Sequence, residues 1–322
     1  MKRMFGACLA GLLAFTAAAA MAADAYPSRP IRIVIGFPPG GAIDTIARVM
    51  APRMAESMGQ SVVVENRPGA AGMIGAQSVA RAEPDGYTVF MGTMGNFSIT
   101  PTLMPAAGVD MAKDFDPVTL VASSGFVMYV NPQLPVKTVG ELIDYAKARP
   151  GTVHFSSSGN GGLPHMAGEL FNSAAGLKMV HVPYKGSSPS VNDLVAGQVQ
   201  LTFEAAAIGI PFVQAGRLRA IATTGEKRLA ALPDVPTVTE TLPGFTVTNW
   251  FGMAVPAGTP PAVIDRLQKE VHKALHLPEV SASLQAQGVE PVGNTPQAFG
   301  AYVKEETARW AKVIKDANIV VQ

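Results

Sequence analysis

Residues Ile31–Met50 read IRIVIGFPPGGAIDTIARVM. A run rich in β-branched side chains, Ile31–Ile35, meets a Pro/Gly stretch, Gly36–Gly41. Apolar residues then recur at helical spacing: Ile43, Ile46, Ala47 and Met50. That order spells strand, tight turn, helix start. Gly40 and Gly41 carry no side chain, so a bound group can come close to the main-chain N–H groups. Those groups sit at the positive end of a helix dipole, which suits an anion. The turn has neither the lysine of a GxxxxGKS/T loop nor a GxGxxG pattern, so it does not advertise a nucleotide. A small carboxylate fits it better.

The same alternation continues along the chain. Strand-like segments at 61–65, 87–91, 118–122, 126–130, 153–156, 179–182, 200–203, 218–223 and 247–255 interleave with helix-like segments. Such a pattern predicts an α/β fold of open, mostly parallel sheets covered by helices. Ligands in such sheets sit beyond the strand C-termini, near helix N-termini. A second glycine-rich joint, SSSGNGGLPH over Ser156–His165, precedes the helical segment MAGELFNSAAG. Two domains, each presenting one such joint to a shared cleft, predict a hinged binding protein with a short hinge. Val118–Phe126 and Thr246–Met253 are the two candidate crossovers. They divide the chain into 23–124 plus 250–322 as domain 1 and 125–249 as domain 2.

Residues 1–22, MKRMFGACLAGLLAFTAAAAMA, read as a cleavable export signal: basic Lys2 and Arg3, an apolar core, and Ala20-Met21-Ala22 as a small-x-small cleavage site. The single cysteine, Cys8, falls inside it, so cysteine-based metal or redox chemistry is not expected of the mature chain. Without Lys2 and Arg3, the 25 basic residues become 23 against 24 acidic ones. That balance, with no basic stripe, argues against nucleic acid as a partner. No later segment holds the roughly 18–20 unbroken apolar residues a membrane span needs. His272 and His276 share a helix face in HKALH, but the Glu of HExxH and a third ligand are missing, so no metal is expected.

Taken together, YPSRPIRIVIGFPPGGAIDTIAR, VVVENRPGAAGMIGA, PDGYTVFMG, HVPYKGSSPSVNDLVAGQV, AGRLRAIATT, LPDVPTVTE and WFGMAVPAGTP resemble a known family in order and spacing. The chain is similar to the periplasmic solute receptors of tripartite tricarboxylate transporters, the Bug or TctC-type proteins, over Tyr26 to about Ala317. The resemblance implies a two-domain Venus flytrap of the type II periplasmic binding fold. It implies a ligand carboxylate held between the domains by loop main chain and ordered water. It further implies a two-subunit integral membrane permease, one subunit large and one small, as partner, with the receptor itself monomeric and without a cofactor.

Carried over by motif, the candidate ligand residues are Phe37, Pro38, Pro39, Gly40, Gly41 and Asp44 in the first loop. Ser158, Gly159, Asn160, Gly161, Gly162 and His165 form the second, and Lys185, Gly186 and Glu204 follow. Gly162 stands where the family usually has Ser or Thr, and Glu204 where Asp is usual. Each residue also has a plainer reading. Phe37–Gly41 could be only a tight βα turn. Asp44 reads chiefly as a helix cap that stiffens the loop, with direct ligand contact as the lesser reading. His165 could be a packed or capping histidine, and Lys185 a solvated one. Glu204 either selects a ligand donor or bonds amides of the opposite domain on closure. Met91, Met94, Phe97 and Phe126 either form an apolar distal pocket or pack in the core. Trp250 and Phe251 either touch ligand or fill the hinge.

The leading expectation is therefore a periplasmic receptor that closes on a small carboxylate and delivers it to a permease. A receptor that presents its liganded form to a sensor kinase has the same sequence signature. A hydrolase is disfavoured: there is no GxSxG elbow, and no base or orienting acid is recognisable beside Ser156, Ser157 or Ser158.

Overall fold

The computed structural model describes residues 26–103, 108–160 and 162–316. The export-signal segment and Gly161 lie outside that set.

The opening stretch folds as read. Strand β1 (Ile31–Ile35) is buried at all positions but Arg32, which is why its other four residues are apolar and β-branched. Helix α1 (Ala42–Met58) buries Ile43, Ile46, Ala47, Met50, Ala51, Met54 and Met58, the stripe that its spacing predicts, and ends at Gly59 in the left-handed region. Each Ile or Met so buried contributes about 1.5–3 kcal/mol against exposure.

Strands β2 (Val62–Asn66) and β3 (Thr88–Thr93) flank β1 and run parallel to it. Next comes β4 (Phe115–Val130), a strand of 16 residues. Sequence alone suggests two separate segments here, broken at Ser123-Ser124-Gly125; the structure joins them. The first part of β4 pairs antiparallel with β9 (Thr248–Pro256) in the first sheet. Its last five residues pair antiparallel with β7 (Leu201–Ala205) in the second. β8 (Arg219–Thr223) lies antiparallel to that same stretch of β4. Strands β5 (His154–Ser157) and β6 (Val180–Pro183) complete the second sheet in parallel to β7 and β5 respectively. A two-residue β10 (Glu290–Pro291) adds to β4.

The sheets are thus mixed. Outer strands joined by βα crossovers are parallel. The two strands that link the halves, β4 and β9, travel in opposite senses and pair antiparallel.

Helices cover both faces. α1 and α7 (Pro261–Leu275) pack on the Ile31, Ile33 and Ile35 face of the first sheet, and α2 (Met73–Ala80) covers the Val34 and Phe90 face. In the second sheet α3 (Val139–Ala148) and α4 (Leu163–Ala175) cover Met128 and Val130. α5 (Ser187–Val195) and α6 (Ala206–Gln214) lie over Val127 and Tyr129. A short α8 (Pro278–Gln285) leads to the last described helix, α9 (Pro296–Asp316).

Helix α9 fixes the linking strand β9. Trp250 on β9 and Trp310 on α9 both donate their indole N–H to Glu306 Oε2, at 3.3 and 3.0 Å. Glu306 is buried and also pairs with Arg309. Trp250 and Phe251 are therefore core residues, and so are Met91, Met94, Phe97 and Phe126.

Candidate functional site

Both glycine-rich joints sit at the C-terminal ends of strands. In the first, Gly36 lies so close to the following loop that a Cβ there would come 2.3 Å from Gly72 O, so only glycine fits. Phe37 follows, with its carbonyl accepting from Asn66 Nδ2 at 3.0 Å. Pro38, Pro39, Gly40 and Gly41 form an exposed crest. Gly41 caps α1 without a side-chain bond.

Asp44 holds this crest from beneath. Its Oδ2 accepts from Gly40 N and from Arg48 Nε, both at 2.9 Å, and its Oδ1 accepts from Asn66 Nδ2 at 3.0 Å. Arg48 in turn donates to Asn66 Oδ1. The carboxyl is 3% exposed, and the Arg48 hydrogen bond leads the donors that hold it down at about 2.

The second joint is pinned by Ser157. Its Oγ donates to Gly159 O at 3.0 Å and accepts from Gly159 N at 3.2 Å, and it lies 2.6 Å from His181 Nε2. His181 stacks on His165 at 3.7 Å, and Phe155 stacks on His181 from 5.0 Å. Burial lowers both imidazoles to about 4, so both are neutral near pH 7. The neighbouring loop joins through Gly186 N, which donates to Ser158 O at 3.1 Å. Gly162 caps α4 with no side-chain bond, and the first turn of α4 contains Pro164 but no acid.

A cavity of about 320 Å³ opens where the two halves meet. Phe37, Ala71, Thr93, Gly95, Ile99, Thr100 and Leu103 line it from the first half, and Asn160, Gly162 and Leu163 from the second. Asn249, on the linking strand β9, lines it too. None of these residues is ionisable.

Three of the residues singled out from sequence, Phe37, Asn160 and Gly162, therefore share this cavity. The Pro38–Gly41 crest stands beside Phe37 and Asp44 below it. Ser158 and Gly159 form the stem of the second loop, and His165 turns inward to its stack. Lys185 is exposed and Gly186 half-buried on the adjoining loop. Glu204 is 3% exposed and does not line the cavity: Oε1 accepts from Ala205 N, and burial raises its pKa against that bond and one to the Ser187 side chain.

Sequence reading missed the far wall. Ala71 has a φ of 53°, a left-handed conformation in a non-glycine residue that NRPGAAG does not disclose. Asn96, fully buried, holds that wall: Nδ2 donates to Ala71 O at 2.8 Å, and Oδ1 accepts from Thr93 N at 3.0 Å. A π-helical turn, Gly95–Ile99, and a short helix, Thr100–Leu103, carry Ile99 and Leu103 to the cavity. Also unseen was the Ser157–His181 contact. Ser157 is fully buried and does not line the cavity.

Comparison with known proteins gives one answer. Residues 46–319 match the model of the tripartite tricarboxylate transporter family receptor, TctC. Protein BugT of Bordetella pertussis is 37% identical over 303 residues, covering 94% of this chain and 93% of BugT. A solved periplasmic transporter is 42% identical with a TM-score of 0.78, covering 92% of this chain and all of the other. The R. palustris protein Rpa4515, solved with adipate, is 37% identical with a TM-score of 0.79, covering 92% and 99%.

Proposed function

Because this chain belongs to the tripartite tricarboxylate transporter receptor family, a family of solute-binding receptors, we propose that it captures a small organic carboxylate in the cavity between its two sheets and delivers it to a two-subunit membrane permease. The observation that carries this reading is the uncapped first turn of α4 beside a cavity walled by both halves. The positive end of its dipole attracts one carboxylate without any lysine or arginine in the described lining. Adipate in the R. palustris relative is such an acid.

The lobes divide at 124/125 and 249/250, where β4 and β9 pass between the sheets. Closure bends these two strands and brings the Pro38–Gly41 crest over the ligand. A ligand that touches both lobes binds the closed form better and shifts the population toward it. Residues 1–22 direct export, and the receptor works in the periplasm.

Isothermal titration of the purified protein with a panel of aliphatic and aromatic carboxylates, against neutral amides of the same shape, tests the reading. Saturable binding of at least one acid, and none by its amide, is the expected outcome. Binding of the amides alone would overturn it.

A further inference from the structure

We infer that Asn249 is a specificity-determining residue, which reads a neutral hydrogen-bonding group, a carboxamide or a hydroxyl, on the body of the bound carboxylate. This deepens the carboxylate-receptor reading and rests on it.

The asparagines of this fold divide by what their amides do. Asn66, Asn96, Asn131 and Asn172 are each bonded at both ends of the side-chain amide and tie distant segments together. Asn249 is half-buried, yet its amide has no partner among the described residues. Its main chain is in register with Ser124 of β4, so the side chain is not needed to hold the strand. The strand also sets its direction. β9 pairs residue for residue with β4 from Thr248 to Phe251, and side chains alternate along such a stretch. Trp250 donates to Glu306 on α9, and Thr248 lines a separate cavity with Tyr302 of α9. Asn249 therefore points away from α9, and it lines the cavity between the two halves.

An amide in that place has two N–H donors and a carbonyl acceptor to give. Closure around a ligand removes water, so the ligand must supply the partners or the amide is left unsatisfied at a cost. Two further neutral groups are in the same condition. Thr100 in the first half and Asn160 in the second line the cavity, and neither side chain has a partner among the described residues. Thr93, by contrast, is already bonded to Asn96. The described lining carries no charged side chain, so the group these residues fit is neutral. The Pro38–Gly41 crest that closes over the same ligand has no side-chain donor or acceptor. Crest and α4 start are left for the carboxylate, and choice of the second group falls to Asn249, with Thr100 and Asn160.

Butyrate, pentanoate and hexanoate, the monoamides of succinic, glutaric and adipic acid, and the three parent diacids make the test, since the three sets match in carbon number. Titration of the purified protein should show the best monoamide about tenfold tighter than the methyl-ended acid of the same length. Asn249→Leu, close in size, should abolish that preference, leave the methyl-ended acid as tight or tighter, and leave the melting temperature unchanged. Asn249→Ala makes the same measurement if the leucine variant does not fold. A methyl-ended acid or a diacid equal to or tighter than every monoamide would overturn the inference and leave the carboxylate reading intact. A preference that survives in the folded variant would do the same, and so would equal losses of monoamide and methyl-ended acid. Failure of all nine acids would overturn the inference, and binding of the neutral diamides in their place would overturn the carboxylate reading with it.

Discussion

The rings of His165 and His181 lie nearly parallel, 3.7 Å between centroids and 8° apart, directly behind the loop that carries Asn160 and Gly162. Facing this pair are Glu169 on α4, with Oε1 3.8 Å from His165 Nε2, the Ser157 hydroxyl on β5, and the Phe155 ring. Burial raises the pKa of Glu169. Two protonated imidazoles at this spacing would repel each other.

Acid should therefore loosen the protein through this stack. Folding lowers both pKa values from 6.5 to about 4, so the unfolded chain binds more protons between those limits. The stability from the neutral pair is complete above pH 6.5 and declines as pH falls toward 4. The melting temperature of wild type minus that of His165→Gln, scanned from pH 7 to 4, should fall along that interval. A flat difference would show that the stack does not titrate.

Asp44 has the opposite sign of charge and a lower window. Its pKa is depressed from 3.8 to about 2, so its contribution is complete above pH 3.8 and is lost as pH falls toward 2. At neutral pH, Asp44→Ala removes the acceptor of Gly40 N and one of the two acceptors of Arg48 and of Asn66 Nδ2. It should cost about 2 kcal/mol, which lowers the melting temperature by roughly 5 °C. Hydrogen exchange confined to residues 36–44 is the accompanying signature. An unchanged melting temperature with lost ligand affinity would instead assign Asp44 to ligand contact.

Glu204 is a buried carboxyl whose pKa burial raises, against hydrogen bonds to Ala205 N and the Ser187 side chain. Its protonated form is favoured by folding, so stability is fullest below its unfolded value of 4.5 and declines as pH rises through the folded one. Glu204→Gln should remove this slope and leave stability at pH 8 equal or higher, by about 1 kcal/mol. Chemical denaturation at pH 5 and pH 8 checks it. Destabilisation at both values would mean that the carboxylate is the working form.

Gly41 has room for a side chain: an added Cβ meets nothing within 4 Å, and φ is −78°. Gly41→Leu should therefore fold with an unchanged melting temperature. If the crest closes over the ligand, affinity should drop about tenfold or more. Wild-type affinity in the folded variant would take the crest out of the binding site.

The sequence disclosed what local chemistry controls. Ile31, Ile33, Val34 and Ile35 are apolar because both faces of β1 are covered there, and α1 shows its buried stripe at helical spacing. Phe37, Asn160 and Gly162 came from glycine-rich joints whose backbone needs are local. What stayed hidden depends on partners distant in the chain. Ser123-Ser124-Gly125 reads as a break, yet pairing with Thr248, Asn249 and Trp250 makes it strand. Ile99 and Leu103 cannot be told from core residues by pattern, since a cavity wall and a core obey the same periodicity. His181 meets Ser157 only because β5 and β6 lie side by side.

The pairing of Phe90 on β3 with Ala254 on β9 has a consequence in time. All of the second sheet lies between them in the chain, so the first sheet cannot close until synthesis has passed residue 254. Contacts of such sequence separation form slowly, because a long loop must be gathered first. A chain leaving the ribosome therefore presents an unfinished sheet for most of its synthesis. That delay suits the export proposed above, because a chain with its sheet still open can be threaded across a membrane.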